Sequence, residues 1–214
     1  MLLGSTVAKI SGKSFGDFLR ERIFLPLKME QALAYEKGKN EIANRAFGHS
    51  KEANGFQQTD QSSTSATLGD GGVYSSLSDL AKWDLALTQH TLLSETEMRA
   101  ALTPVQLAGS ARPVWPADSD RPAGSPVSYG FSWFLDPYRN HSRMWHYGDT
   151  MGFHTYIESF AGDPAGRGAL SIIVLCNRTD LDPEKLAAEA ADLFRWHRLA
   201  IGRLPSSANS SIIP

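Results

Sequence analysis

The chain contains almost no cysteine. Cys176 is the only cysteine among its 214 residues, so no disulfide can form within the chain. It lies inside an apolar run, where a small thiol is usually buried and unreactive. The sequence therefore predicts an inert Cys176 and leaves the redox compartment undetermined.

Long apolar runs are lacking as well. The longest, from Leu170 to Cys176, is broken by Ser171 and is far shorter than the roughly 20 residues that a membrane-spanning helix needs. The sequence as given shows no basic segment followed by an apolar segment and a small-residue cleavage site, so it encodes no recognisable signal peptide. We expect no membrane span, and the localisation stays undetermined.

An excess of charge of one sign is the third absence. The chain has 21 Lys and Arg against 23 Asp and Glu, a net charge of -2, and no basic cluster. This balance does not favour nucleic acid as a partner. His141, His146 and His154 are close in sequence, but neither a Cys cluster nor a His-Glu-x-x-His motif accompanies them. We therefore expect no metal site and no cofactor.

What the chain does have is a glycine-punctuated stretch at the end of a strand-like run, over residues 145–153. It reads Trp-His-Tyr-Gly-Asp-Thr-Met-Gly-Phe and contains His146, a side chain whose charge can change near neutral pH. A side chain at a strand end points into whatever cleft the sheet borders, and the following Gly148 permits close approach to the backbone. A single strand histidine is more often structural, but this neighbourhood favours a functional site.

Helix signals dominate the first part of the chain. Gly12 predicts the end of an apolar helix, and Ser14, Ser76 and Ser94 each precede an acidic residue by three positions, which is typical of helix N-caps. Residues 31–68 have poor periodicity and predict an irregular excursion with at most short strands around 45–49, in which His49 is a surface polar group. Residues 104–127 predict a long loop that is either a lid or a disordered segment.

The second part predicts four consecutive antiparallel strands. They are expected at 129–135, 143–146, 153–160 and 169–176, with a hairpin turn at Tyr138-Arg139-Asn140. A final helix opening at Asp182-Pro183 places one face across that sheet, composed of Leu186, Ala190, Leu193, Phe194 and His197. The predicted class is α+β: one domain over 1–203, with helices and loops in 1–127 and strands plus a helix in 128–203, and a flexible tail at 204–214.

Three motifs in a fixed order carry a family resemblance. Residues 71–83 read Gly-Gly-Val-Tyr-Ser-Ser-Leu-Ser-Asp-Leu-Ala-Lys-Trp, residues 129–133 read Tyr-Gly-Phe-Ser-Trp, and His146-Tyr147-Gly148 follows. Together they resemble the beta-lactamase-related serine hydrolases, which include class C beta-lactamases, D-alanyl-D-alanine carboxypeptidases and esterases. The resemblance runs from Met1 to about Leu199. It implies the C-terminal part of a beta-lactamase or transpeptidase-like fold, with an antiparallel sheet flanked by helices.

Two of the motifs that this family uses for catalysis are not matched. No lysine has a serine three positions before it, so the nucleophilic Ser-x-x-Lys is absent from the sequence. Tyr138-Arg139-Asn140 spells Tyr-x-Asn but falls in the expected hairpin turn, downstream of the family position. A Gly-x-Ser-x-Gly elbow is absent too. We expect a truncated product or partial gene model, with the missing motifs encoded upstream of Met1.

The resemblance assigns roles to residues around the third motif. His146 takes the place of the family's Lys or His, and the backbone N–H that follows Gly148, that of Asp149, corresponds to the oxyanion donor. Tyr147 stands where many members have Thr, which changes recognition of a substrate carboxylate. Tyr147, Thr150 and Trp115 are the expected substrate-binding residues.

The expected function is that of a beta-lactamase-related serine hydrolase portion that is inactive by itself. Complete relatives hydrolyse beta-lactams, D-Ala-D-Ala peptides or esters, and are often periplasmic or secreted, so the expected partner is a small-molecule or peptide substrate. The alternative is a non-catalytic module that binds peptides or acyl groups in the His146 cleft. Association through exposed apolar faces is also expected.

Overall fold

The computed structural model describes residues 2–36, 38–59, 69, 71–117, 121–162 and 168–196. The flexible tail predicted at 204–214 and the helix position predicted for His197 lie outside these residues. None of the described helices is long and apolar enough to cross a membrane.

The first helices begin and end where the local signals predict. Helix α1 (Leu2–Ser11) stops at Gly12, whose φ of 68° is the left-handed conformation that favours glycine. Helix α2 (Phe15–Leu19) starts at Ser14, whose side chain accepts a hydrogen bond from the backbone N–H of Asp17. It continues into a π-helical segment, Arg20–Phe24, which buries Phe24.

Short strands connect these helices to the next pair. Strand β1 (Leu33–Ala34) pairs with β4 (Val73–Tyr74), and β2 (His49–Glu52) forms a hairpin with β3 (Gly55–Gln58). Short strands were expected in this region around 45–49, and the structure places the hairpin a few residues later, beginning at His49. Its turn contains Asn54-Gly55, a strong hairpin signal, and Gly55 has a φ of 123°.

Two capped helices follow the short strands. Helix α3 (Leu77–Thr88) is capped by Ser76, and α4 (Glu95–Ala101) has a capping box in which Ser94 and Glu97 bond each other's backbone N–H. Both N-caps confirm the sequence prediction. The segment after α4 contains a 3-10 turn at Ala108–Ser110 and a tight loop closed by Trp115, whose N–H donates to the Ser125 carbonyl at 3.0 Å.

The second part is a four-stranded antiparallel meander. Its strands are β5 (Phe134–Tyr138), β6 (His141–Thr150), β7 (Phe153–Phe160) and β8 (Leu170–Cys176), in the order β5-β6-β7-β8. The hairpin turn predicted at 138–140 is confirmed, because both Arg139 and Asn140 have positive φ, 46° and 63°. Strand β5 begins five residues later than predicted, and β6 is longer than predicted.

The two faces of this sheet bury different apolar sets, because successive side chains of a strand point to opposite sides. One face packs on α3 and α4, with Leu87, Met98 and Trp133 as buried centre and Leu135, Met144 and Ile157 as sheet contributors. The other packs on the last helix, α5 (Pro183–Ala191). Its centre is Trp145, Tyr156 and Ala187, surrounded by Trp115, Phe134, Ile172 and Val174.

The buried face of α5 differs from the one predicted. Ala187 and Ala191 are completely buried, whereas Leu186, Leu193 and Phe194 are exposed by 42%, 62% and 63%. The small alanine side chains let the helix approach the large rings of Trp145 and Tyr156, which fill the space that leucine would need. After Ala191 the chain continues as a π-helical segment, Asp192–Trp196, so the spacing assumed for a regular helix does not hold there.

A charged cluster lies under the aromatic side chains of the α5 face. Asp136 Oδ1 accepts hydrogen bonds from Arg143 Nε at 3.1 Å, from Arg143 Nη2 at 2.8 Å and from Trp145 Nε1 at 2.8 Å. Arg143 Nη1 also donates to Glu158 Oε2 at 3.1 Å. These contacts tie β5, β6 and β7 together immediately before the glycine-punctuated stretch, and they fix the Trp145 ring.

Candidate active site

The end of β6 has one open edge. The first residue of strand β5, Phe134, lies opposite Trp145, so 146–150 pair only with β7 among the described residues. Their outward-facing backbone groups are therefore available to an extended ligand. His146, Gly148 and Thr150 lie on the sheet face that packs on α3 and α4, whereas Tyr147 and Asp149 lie on the α5 face.

His146 lies among aromatic side chains. Its Nε2 is 3.3 Å from the Tyr129 hydroxyl, and its ring centroid is 5.7 Å from that of Phe134 and 5.9 Å from that of Tyr147. Burial, with a smaller contribution from Tyr147, raises the pKa of Tyr129. In the sequence, Tyr129 was singled out only as part of a motif and was not among the predicted site residues. The available signal was its position at the start of the 129–133 motif.

Both glycines of the stretch have close neighbours, and at Gly152 these are backbone atoms. A Cβ on Gly148 would lie 2.5 Å from Thr155 Oγ1 on the adjacent strand. Gly152 has a φ of 80°, and a Cβ there would meet the Thr59 carbonyl oxygen at 2.3 Å and Gly48 Cα at 2.7 Å. The backbone of the β6–β7 turn therefore packs directly against the backbone of Gly48, the residue before β2.

The β2–β3 hairpin is joined to this turn by hydrogen bonds. The His49 N–H lies 3.2 Å from the Gly152 carbonyl and 3.0 Å from the Asn177 carbonyl, and the His49 carbonyl accepts from the Thr179 N–H at 3.1 Å. His49 was expected to be only a surface polar residue. Its backbone also connects the hairpin to the β6–β7 turn and to the residues directly after β8, which lie at the same end of the sheet.

The Asp149 side chain points away from the His146 face. Its Oδ1 lies 3.1 Å from Nε2 of His154, the residue directly opposite on β7, and the carboxyl group is 66% exposed. The second ring nitrogen of His154, Nδ1, is 3.1 Å from the Leu181 carbonyl. The Asp149 side chain therefore contacts His154 and not the His146 face. The part of Asp149 that can face a ligand at the open edge is its backbone.

The expected substrate-binding residues occupy different places. Tyr147 is 48% exposed beside the open edge, and Thr150 is half-buried at the end of β6. The ring of Trp115 stacks on Phe134 at 5.2 Å and belongs to the apolar cluster of the α5 face. Trp115 therefore has a packing role, and its contact with a substrate stays a prediction.

Other sequence motifs do not join this site. The Tyr138-Arg139-Asn140 turn is at the opposite end of β6, where Arg139 Nη2 bonds Asp192 Oδ2 at 2.6 Å. Among the residues that the structure describes, no three His, Cys, Asp or Glu side chains come together in a metal-binding group. The chemistry that this geometry offers is hydrogen bonding from a histidine and from strand backbone.

Comparisons with known proteins agree with this architecture. A penicillin-binding protein from Bacillus subtilis (strain 168) is 30% identical over 146 residues, covering 63% of this chain and 29% of that protein. The octameric penicillin-binding protein homologue from Pyrococcus abyssi superposes with a TM-score of 0.67 at 21% identity, covering 90% of this chain and 40% of that one. The D-amino acid amidase from Ochrobactrum anthropi SV3 complexed with L-phenylalanine superposes with a TM-score of 0.63 at 23% identity, covering 89% of this chain and 52% of that one.

The extent of these matches differs between the chain and its relatives. The chain spans only about a third to a half of the length of these relatives, whereas the beta-lactamase family model matches residues 1–195. Because that family model covers most of the chain, and the α+β fold agrees with it, this chain belongs to the beta-lactamase family.

Proposed function

We propose that this chain supplies the substrate-positioning strand of a beta-lactamase-type serine hydrolase and is inactive without a nucleophile from outside its 214 residues. The observation that carries the proposal is the open edge at 146–150, where His146 and Gly148 lie on a strand that pairs only with β7 among the described residues. The absence of a Ser-x-x-Lys from the sequence supports the requirement for an external nucleophile.

The proposed chemistry is acyl transfer. A serine oxygen attacks the acyl carbon while a neighbouring lysine takes its proton. The C–N or C–O bond of the substrate then breaks as the leaving nitrogen or oxygen takes up a proton, and water later hydrolyses the acyl-enzyme. This chain would contribute two groups: His146, which orients the substrate, and the Asp149 N–H, which donates to the oxygen that becomes negative in the transition state. Without the nucleophile, an oxyanion hole and binding alone give only about 10³ to 10⁴ over water in serine proteases.

The names of the relatives support the proposed substrate class. Their names refer to penicillin binding and to amidase action on D-amino acids, and we propose a beta-lactam, a D-Ala-D-Ala peptide or an ester as the substrate. Tyr147 in place of the common Thr would alter recognition of a substrate carboxylate, because its exposed ring occupies that position.

A non-catalytic binding module is the second candidate. The same open edge could add a peptide as a further strand through backbone hydrogen bonds. This alternative is favoured by the sequence itself, which contains no Ser-x-x-Lys. A fluorophosphonate probe addresses both candidates, since covalent labelling of the chain would reveal a serine nucleophile and contradict each of them.

The catalytic proposal is tested by completing the site. We expect the chain alone to hydrolyse neither nitrocefin nor p-nitrophenyl acetate above background. When a relative's N-terminal segment carrying Ser-x-x-Lys is fused before residue 1, activity should appear, and His146→Ala should reduce turnover by about 10² to 10³. His141→Ala, at the other end of β6, is the matched control. An unaltered rate in the His146→Ala fusion would remove this residue from the site.

A further inference from the structure

Tyr129 is the side chain that hydrogen-bonds the His146 ring, at 3.3 Å from Nε2. Its own ring packs edge-on against Phe134, with centroids 4.7 Å apart. The backbone around it is fixed as well. The Tyr129 carbonyl accepts from the Val105 N–H at 2.8 Å, and a Cβ on the next residue, Gly130, would lie 2.2 Å from the Ala101 carbonyl oxygen. The backbone that carries the Tyr129 ring is therefore fixed against the end of α4 and the segment that follows it.

The chemistry of the two groups decides the direction of the hydrogen bond. A phenol hydroxyl is a better donor than acceptor, and a neutral imidazole nitrogen without hydrogen is a strong acceptor. Burial raises the pKa of Tyr129, so its hydroxyl keeps its proton at neutral pH. The favoured arrangement is O–H of Tyr129 donating to Nε2 of His146. A neutral imidazole carries a single N–H, which must then be on Nδ1.

We propose that Tyr129 is a positioning residue that fixes His146 in the Nδ1–H tautomer. The hydrogen-bond donor that neutral His146 offers to a ligand is then Nδ1–H, and the ligand group that it suits is a carbonyl or carboxylate oxygen. The identity of that ligand rests on the proposed function, whereas the tautomer does not.

The tautomer can be measured on the chain as it exists. Long-range ¹H–¹⁵N correlation spectra distinguish a ring nitrogen that bears hydrogen from one that does not, and His146→Gln assigns the signals. At about pH 8, where an ordinary imidazole is neutral, we expect His146 to show a hydrogen-free Nε2 and a protonated Nδ1. A His146 that is predominantly protonated at Nε2 overturns the proposal, whether or not any variant folds.

A pair of matched variants tests the assignment to Tyr129. Tyr129→Phe keeps the ring packing and removes the hydroxyl, so the His146 spectrum should shift toward the Nε2–H form. Tyr138→Phe removes a hydroxyl that donates to Asp192 at 3.2 Å, far along the sheet, and should leave the His146 tautomer unchanged. An unchanged tautomer ratio in Tyr129→Phe, or an equal change in Tyr138→Phe, contradicts the proposal.

Activity of the completed hydrolase separates this inference from the proposed function. Tyr129→Phe should lower kcat/KM about tenfold, the size of one neutral hydrogen bond, while Tyr138→Phe should not. If the parent fusion is inactive, the proposed function fails while the spectra still decide the tautomer. If the fusion is active and the spectra show Nε2–H, the tautomer proposal fails alone.

Discussion

At the scale of single residues, two features dominate the surroundings of the candidate site. Gly152 has a positive φ, which other residues rarely adopt, and its backbone contacts that of Gly48. A side chain at this position would therefore be strained and would also lack space. Glu158 is almost completely buried, and one of its carboxylate oxygens, Oε1, has no hydrogen-bond partner among the described residues. Each gives a prediction that a single substitution can test.

Gly152→Ala should destabilise the chain much more than Gly12→Ala. Both positions have positive φ, which costs an alanine about 1 kcal/mol or more. Only Gly152 also has backbone atoms where the Cβ would be, since the space around Gly12 is open. Overpacking adds about 1–3 kcal/mol. Urea unfolding measures the difference, and equal losses of stability in the two variants would show that the contact with Gly48 can relax.

Glu158→Gln should change the pH dependence of stability. Burial raises the pKa of Glu158, and the attraction of Arg143 opposes that rise only in part. As pH rises from about 4.3, the ordinary pKa of Glu, through the raised native pKa, the native state holds a proton that the unfolded state has released. The contribution of Glu158 to stability therefore falls with rising pH in this window.

The measurement compares urea unfolding of both chains from about pH 4 to about pH 8. The parent should lose stability relative to Glu158→Gln as pH rises, because glutamine does not titrate. Glu95→Gln, which removes a charge from an exposed pair with Arg99, should run parallel to the parent. Parallel curves for all three proteins would show that Glu158 does not titrate differently on folding.

At the scale of elements, α3 holds the segment after α2 through one buried carboxylate. Asp79 is 1% exposed, and its Oδ2 accepts from the Gln31 N–H at 2.7 Å. Its Oδ1 accepts from Lys82 Nζ at 2.9 Å, and Lys82 Nζ also donates to the Lys28 carbonyl at 2.5 Å. The local cap at Ser76 starts the helix, but Asp79 and Lys82 fix its position against residues 28–31.

Asp79→Asn should lower the free energy of unfolding by about 2–3 kcal/mol, because hydrogen bonds to charged groups contribute about 1.5–3 kcal/mol each. The matched change in an exposed pair, Glu95→Gln, should have no measurable effect, since exposed ion pairs contribute little. Urea denaturation of both variants gives the comparison. A loss in Asp79→Asn no larger than that in Glu95→Gln would mean that water replaces the carboxylate contacts.

At the scale of the whole molecule, many described apolar side chains lie on the surface, and those of α1 are the most exposed. On α1, Leu2, Leu3 and Ile10 are exposed by 85%, 77% and 82%. An open groove of about 770 Å³ lies between α3–α4 and the sheet, with Leu87, Met98, Leu102, Leu135, Met144 and Phe160 among its apolar lining. Surfaces of this kind promote association.

We expect concentration-dependent self-association and marginal stability of the purified chain. The double variant Leu3→Lys with Ile10→Lys should weaken association by placing charge on the α1 face, whereas Leu107→Lys, at a position outside α1 exposed by 52%, should not. Sedimentation velocity measures the change. This expectation would be contradicted if the parent chain were monomeric and melted cooperatively above roughly 60 °C, which is at or beyond the upper part of the usual mesophile range.

The sequence by itself determined the features that depend on neighbours along the chain. The N-caps at Ser14, Ser76 and Ser94, the left-handed stop at Gly12 and the turn at 138–140 all follow from short-range hydrogen bonding and backbone preference. The succession of four strands and the family resemblance were also available from pattern and motif, because both are properties of local residue order.

Only the tertiary structure decided which residues meet across long separations. It placed the Tyr129 hydroxyl on His146, packed Gly48 against Gly152, and buried Ala187 and Ala191 in place of the predicted leucines. Periodicity predicts that α5 has an apolar face. Which of its residues pack against the sheet depends on the size of the Trp145 and Tyr156 rings on that sheet face. Contacts of this kind depend on how whole elements pack, and no local pattern in the sequence encodes them.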